Sequence, residues 1–311
     1  MSAACKRFLV AVLLAGILCG CSQEKRFSVT WLDLFDTVCS FTAYCESREV
    51  FDAMAEEVHA ELLSYHRLFD AYHEYEGVVN LCSLNARAAL SPVRVEPPLY
   101  AILEDAVSLC RLSNGKLNAA MGAVLRLWHE ASALGTELPA LSALQSAALH
   151  CDIGALVLDN GCVSFSDADL KLDLGALAKG FSAQRIFDGF SGNWLLNLGG
   201  TVAAKGVKPH GESWQVAVSN AVTGGTLCTV ALKDALCATS SDSQRYFIVD
   251  GIRYSHIIDP DTLYPPTLHR QVTVICGDGT LADALSTVLF LLPQEEGEKL
   301  AERCHAKAMW L

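Results

Sequence analysis

The chain has 311 residues, 51% of them hydrophobic and 19% charged, which supplies a sizeable core and excludes a disordered chain. Its formal charge of −12, with no basic block to offset it, excludes general nucleic-acid binding. A phosphate-bearing ligand would therefore need a local site, such as a metal ion or a helix N-terminus.

The first residues read as a targeting segment. Lys6 and Arg7 precede a short apolar run, Phe8–Ile17, too short for a comfortable membrane span. Leu18-Cys19-Gly20-Cys21 then resembles a bacterial lipobox, a plain secretory signal being the alternative. The expected organisation is a signal peptide over 1–20, an acylated Cys21 and tether over 21–29, and one folded domain over 30–311. That places the mature chain on the periplasmic side of a bacterial membrane, held by a lipid anchor. Of thirteen cysteines, ten lie beyond Cys5, Cys19 and Cys21. None of the ten forms C-x-x-C, and Cys110, Cys228, Cys237 and Cys276 sit in apolar runs, so buried thiols are expected.

Phe27–Cys45, rich in aromatic and β-branched residues, reads as one long or two short strands. Val50–Phe69 is an amphipathic helix with Phe51, Met54, Val58, Leu62 and Leu63 on one stripe. A polar segment, Asp70–Asn85, carries Tyr72, Tyr75 and Asn80. Helices are expected at Pro97–Ser113, Asn118–Leu134 and Pro139–His150. Ala155–Leu158 and Val163–Phe165 flank Asp159-Asn160-Gly161, a hairpin signal. Leu170–Phe181 alternates through Leu172 and Leu174, then changes period at Gly175, as a strand entering a helix does. Strands follow at Trp194–Leu198, Trp214–Val218, Thr226–Leu232, Tyr246–Val249, Arg253–Ile257 and Gln271–Cys276, continuing one sheet. Leu281–Leu292 and Gln294–His305 close the chain as helices, with a last strand at Ala308–Leu311. The fold class is α+β: a single intertwined domain, helix-rich in its first half, with a mixed or antiparallel sheet in its second.

Five stretches could carry chemistry. The Gly175–Gly180 turn, with Lys179, leads into a helix that points unpaired N–H groups at whatever sits there. Asn197-Leu198-Gly199-Gly200 ends a strand where ligands often meet an open sheet. Ala238–Phe247 gathers hydroxyls, an acid and an arginine, and in isolation reads equally as a polar loop. Ser255–Pro260 sets His256 and Asp259 at a strand end. Asp283 and Thr287 are one helical turn apart, so their oxygens could both reach a hard cation.

In this order, L-D-L-G-A-L-A-K-G, N-L-G-G, A-T-S-S-D-x-x-R-Y-F, H-I-I-D-P and A-D-A-x-x-T resemble the FAD:protein FMN transferase family. Asp36-Thr37-Val38-Cys39-Ser40, Arg67–Tyr72 with Asn80 and Asn85, and Leu117–Trp128 extend the resemblance upstream, to roughly Thr30–Leu311. It implies Mg²⁺-dependent use of FAD, with FMN transferred to a threonine of acceptor proteins and AMP released, or FAD hydrolysed to FMN and AMP. It also implies acceptors among subunits of membrane electron-transport complexes. Tyr72 would pack on the flavin dinucleotide, and Asp173, Gly175, Ala176 and Lys179 would line the pyrophosphate region. Gly199, Gly200, Thr239, Ser240, Arg245 and His256 would complete the cofactor site. Asp283, Thr287 and a carbonyl near Ala176 would hold Mg²⁺. His256 would deprotonate the acceptor, and Asp259 would steady its loop. The chain departs from the family at Asp36 and Leu263, where glycine is usual, and at Asn118, Ala120 and Thr201. A flavin store without turnover and a solute-binding lipoprotein are the competing classes.

Overall fold

A computed structural model describes residues 24–311, so the signal sequence and Cys21 lie outside the described residues. Their centre is a seven-stranded sheet in the order β1-β2-β6-β7-β10-β13-β14. Its strands are β1 (Lys25–Leu34), β2 (Thr37–Cys45), β6 (Asn193–Leu198), β7 (Thr201–Lys205), β10 (Ala235–Ser241), β13 (Gln271–Cys276) and β14 (Lys307–Trp310). Every neighbouring pair is antiparallel.

β1 begins at Lys25, so residues 25–29, expected as tether, form its first half. Phe35 and Asp36 reverse the chain at φ +51° and +50°, the left-handed pair of a tight hairpin turn. α1 (Arg48–Phe69) starts at Ser47, whose hydroxyl accepts from Val50 N, and buries Phe51, Val58 and Leu62. Together with Phe41, Trp194, Leu196 and Leu198, these residues form an apolar layer between α1 and the sheet. The opposite face is covered by a ribbon of β8 (Trp214–Ser219) and β9 (Thr226–Leu232), where Trp214 and Leu232 meet Val202 and Ala204.

The main core joins α3 (Pro97–Leu112) to α6 (Ala178–Gly189), α7 (Gly279–Leu291) and α8 (Gln294–Arg303). A small sheet of β3 (Val93–Arg94), β4 (Leu156–Asp159) and β5 (Cys162–Phe165), in the order β3-β5-β4, packs against this core. α4 (Gly122–Leu134), α5 (Leu141–Ala148) and the hairpin β11 (Tyr246–Val249) and β12 (Ile252–Ser255) build a satellite cluster around Trp128. No helix among the described residues is long and apolar enough to cross a membrane. All ten described cysteines are free, with Cys39, Cys45, Cys110 and Cys237 buried.

Several expectations are corrected. Leu170–Leu174 is extended but is not a sheet strand. Its backbone pairs instead with the Asn85 amide, which donates to Leu172 O (2.9 Å) and accepts from Leu172 N (2.8 Å). The segment before α4 supplies the other partners, through Gly122 N to Lys171 O (3.0 Å) and Asp173 N to Ala119 O (2.8 Å). The alternation there reports burial of Leu170, Leu172 and Leu174, not a ladder. The helix expected from Asn118 begins at Gly122, because the Asn118 side chain captures Ala120 N and holds that turn open. A helix inside the polar segment was not anticipated: α2 (Leu81–Arg87), capped by Asn80, whose carbonyl oxygen accepts from Ser83 N. The β8–β9 and β11–β12 pairs are separate ribbons, not a continuation of the sheet.

Candidate active site

The site forms where the N-terminus of α6 meets the first turns of α7 beside β7 and β10. The helices approach through two glycines. A methyl at Gly180 would overlap the Gly279 carbonyl oxygen and Asp283 Cβ, and a Cβ at Gly279 would lie 2.8 Å from Gly180 O. That closeness brings Asp283, 5% exposed, onto the end of α6. Its Oδ2 accepts from Gly180 N at 2.8 Å, so a side chain of one helix caps the other. Oδ1 accepts from the Thr201 hydroxyl at 3.2 Å, and the Lys179 ammonium lies 3.7 Å from Oδ2.

The contacts continue outward in both directions. One turn along α7, the Thr287 hydroxyl lies 3.2 Å from Ser240 Oγ, which also pairs with Ser286 Oγ at 2.8 Å. Thr239 N donates to Gly200 O, and its hydroxyl pairs with Thr273. Gly199 turns at φ +59° with no room for a Cβ beside Thr37, so this turn needs glycine twice over. In the other direction, Lys179 donates to Gly175 O at 3.4 Å. Asp173 holds the turn by accepting from Gly175 N (2.8 Å) and from the Tyr72 hydroxyl (3.0 Å). The Tyr72 ring, partly exposed to solvent, meets His129 edge-on at 4.7 Å. Ala176 is half-buried in the same turn.

His256 follows β12. Its Nδ1 lies 3.0 Å from Arg245 O, and since a carbonyl only accepts, Nδ1 carries the proton and Nε2 keeps a free lone pair. Part of the residue is exposed to solvent. Protein crowds the ring all the same, and burial, aided by the Arg245 and Lys179 charges, lowers its pKa to about 4 against the pull of that carbonyl. Nε2 is therefore an unprotonated acceptor at neutral pH. The Arg245 guanidinium clamps the β1–β2 turn through Phe35 O (3.0 Å) and Asp36 O (2.9 Å). Among the described residues Asp259 makes no hydrogen bond with His256. It pairs with Lys116 at 2.8 Å and accepts from Asp261 N at 3.0 Å, fixing the loop that follows.

The Asp283 carboxylate and the Thr287 hydroxyl, one turn apart on α7, are hard oxygen donors of the kind that suits Mg²⁺. Each Asp283 oxygen takes only one hydrogen bond, leaving a lone pair on both for a cation. A second cluster, His150, Asp167 and Asp169, lies elsewhere and is closed by its own hydrogen bonds, with His150 Nδ1 2.9 Å from Asp167. Thr201 was not anticipated as a site residue. Its signal is a hydroxyl just after the glycine pair, opening β7 ahead of the apolar Val202, Ala203 and Ala204.

Glycine-lined helix ends meet at a buried carboxylate, an arrangement that can hold a phosphate-bearing ligand or a hard cation. The chain belongs to the ApbE family, whose model matches residues 35–310. It is 31% identical to a FAD:protein FMN transferase of Treponema pallidum, over 95% of this chain and 88% of that protein. It is 26% identical to the protein of that name from Haemophilus influenzae, over 95% and 89%. Among solved structures it resembles the ApbE protein of Thermotoga maritima (TM-score 0.83, 25% identity, 92% of this chain and 94% of that one). It also resembles the apo flavinyl transferase ApbE of Pseudomonas stutzeri (TM-score 0.77, 25% identity, 93% and 91%).

Proposed function

We infer that the chain is an FAD:protein FMN transferase, splitting the pyrophosphate of FAD, attaching FMN to an acceptor protein and releasing AMP. The observation that carries this reading is Asp283, a buried carboxylate fixed by Gly180 N–H and Thr201 and facing Lys179 at the glycine turn. Asp283, Thr287 and a carbonyl near Ala176 would hold Mg²⁺, which would neutralise charge on the pyrophosphate. The residues of the chain do the rest. The Gly175–Gly180 turn seats the diphosphate against the start of α6, and Lys179 adds positive charge there. His256 Nε2 takes the proton of an acceptor threonine as its oxygen bonds to the FMN phosphorus. The bond from that phosphorus to the bridging oxygen breaks, and AMP leaves with the oxygen and its electron pair. Arg245 and Lys116 act at a distance, one holding the β1–β2 turn and the histidine through its carbonyl, the other holding the loop beyond His256.

His256 is open enough to solvent to admit water in place of the threonine, which would yield FMN and AMP. Acceptors among membrane electron-transport subunits, a periplasmic location and an anchor at Cys21 fit the same reading. The test is AMP release from FAD and Mg²⁺ by wild type and by Asp283→Ala. Loss in the variant with its fold retained is expected, and undiminished release would overturn the assignment of Asp283.

A further inference from the structure

The position of Lys179 is unfavourable on elementary grounds. It is the second residue of α6, where the helix end is already positive and a cation is repelled. Its side chain nevertheless folds back over that end, donating to Gly175 O at 3.4 Å with its ammonium 3.7 Å from Asp283 Oδ2. The two side chains are 26% and 7% exposed, so the pair sits largely out of water. Asp283 needs such a partner, since a carboxylate taken out of water without a counter-charge is strongly disfavoured. Gly180 N–H and the Thr201 hydroxyl supply hydrogen bonds but no net charge. Among the described residues, Lys179 is the cation within ion-pair distance of this carboxylate.

We propose that Lys179 is a built-in stand-in for the metal. In the metal-free protein its ammonium neutralises Asp283 and tethers the Gly175–Gly180 turn in the shape the metal requires. When the cation enters, Lys179 gives up Asp283 and its charge becomes free to face the diphosphate. The lysine and Mg²⁺ then compete for one carboxylate, and occupation by either keeps α6 and α7 docked. This rests on Asp283 being a metal ligand, as argued above, and goes beyond it by assigning Lys179 a role before substrate arrives.

The test needs no turnover. Mg²⁺ binding to the FAD-free protein is measured by calorimetry for wild type, Lys179→Met and Lys179→Arg, with the melting temperature of each in EDTA. Lys179→Met removes the competitor and the counter-charge, so Mg²⁺ should bind roughly 3–10-fold tighter while the metal-free protein melts lower. Lys179→Arg keeps the charge and should resemble wild type in both. In unmodified wild type, an amine-acylating reagent should label Lys179 faster with Mg²⁺ than in EDTA. That measurement decides the matter even if Lys179→Met does not fold. Unchanged or weaker Mg²⁺ binding in Lys179→Met, or equal labelling of wild-type Lys179 in the two conditions, overturns the proposal while leaving Asp283 as a ligand. Absence of Mg²⁺ binding to wild type overturns the metal site itself, and the stand-in with it.

Discussion

Gly180→Ala tests how tightly the site depends on contact between two helices. The added methyl would run into the Gly279 carbonyl oxygen and Asp283 Cβ, neither of which belongs to a flexible side-chain end. Restoring ordinary contact requires α6 and α7 to part by roughly 1 Å. The 2.8 Å bond from Gly180 N to Asp283 Oδ2 would then exceed hydrogen-bond range. Overpacking costs about 1–3 kcal/mol. The lost charge-assisted bond adds about 1.5–3 kcal/mol. Together they imply about 3–5 kcal/mol, or roughly 10 °C in melting temperature for a domain of this size. Gly189, on the same helix, has open space where its Cβ would be. Gly189→Ala should therefore be neutral or gain up to about 1 kcal/mol from helix propensity. The assay is urea denaturation of wild type and both variants, with Mg²⁺ affinity measured alongside. A Gly180→Ala protein as stable as wild type, with unchanged Mg²⁺ affinity, would refute the argument that these glycines set the geometry.

Three further outcomes are expected. His256→Ala should depress covalent flavinylation by roughly 10²–10⁴-fold while FAD binding persists, read by separating AMP from flavin-labelled acceptor; equal labelling would make the histidine structural. Since the native His256 pKa is lowered to about 4 from 6.5, its base function should hold as pH falls from 7 to 5. In that window the unfolded chain binds the proton and the native ring does not, so His256 contributes a loss of stability from about pH 6.5 down to about 4, which His256→Ala should lessen in acid melts. Asp36→Gly, at φ +50° in the β1–β2 turn, should raise the urea midpoint by relieving up to about 1 kcal/mol of left-handed strain, and a lower midpoint would contradict this.

Much of this architecture was legible because burial imposes period. The stripe of α1 followed from apolar spacing. The same signal misled at Leu170–Leu174, where alternating burial goes with only an isolated bridge to Met121, and the Asn85 amide takes the pairing groups of Leu172. Nothing local in the sequence announces a side chain from 87 residues away. Ala238–Phe247 read equally as a chemistry-bearing stretch or a polar loop; its first residues belong to the central strand β10, where Thr239 and Ser240 place their hydroxyls on Thr273, Ser286 and Thr287. β7 went unread because Thr201–Ala204 is buried on both faces and so lacks alternation. Within the site, Asp283 and Thr287 were visible as an i, i+4 pair, whereas the Thr201 partner depended on tertiary contact. The departure at Leu263 has a structural counterpart: it sits at φ +64°, where glycine is at ease, while its carbonyl accepts from Trp128.

The most direct test of the account supplies FAD and Mg²⁺ to the purified protein together with a threonine-bearing acceptor subunit, and counts AMP against FMN bonded to that subunit. One AMP for each FMN attached, with both lost in Asp283→Ala at unchanged fold, is the predicted result. Persistence of both products in Asp283→Ala, or AMP released with no flavin on the acceptor, would contradict it.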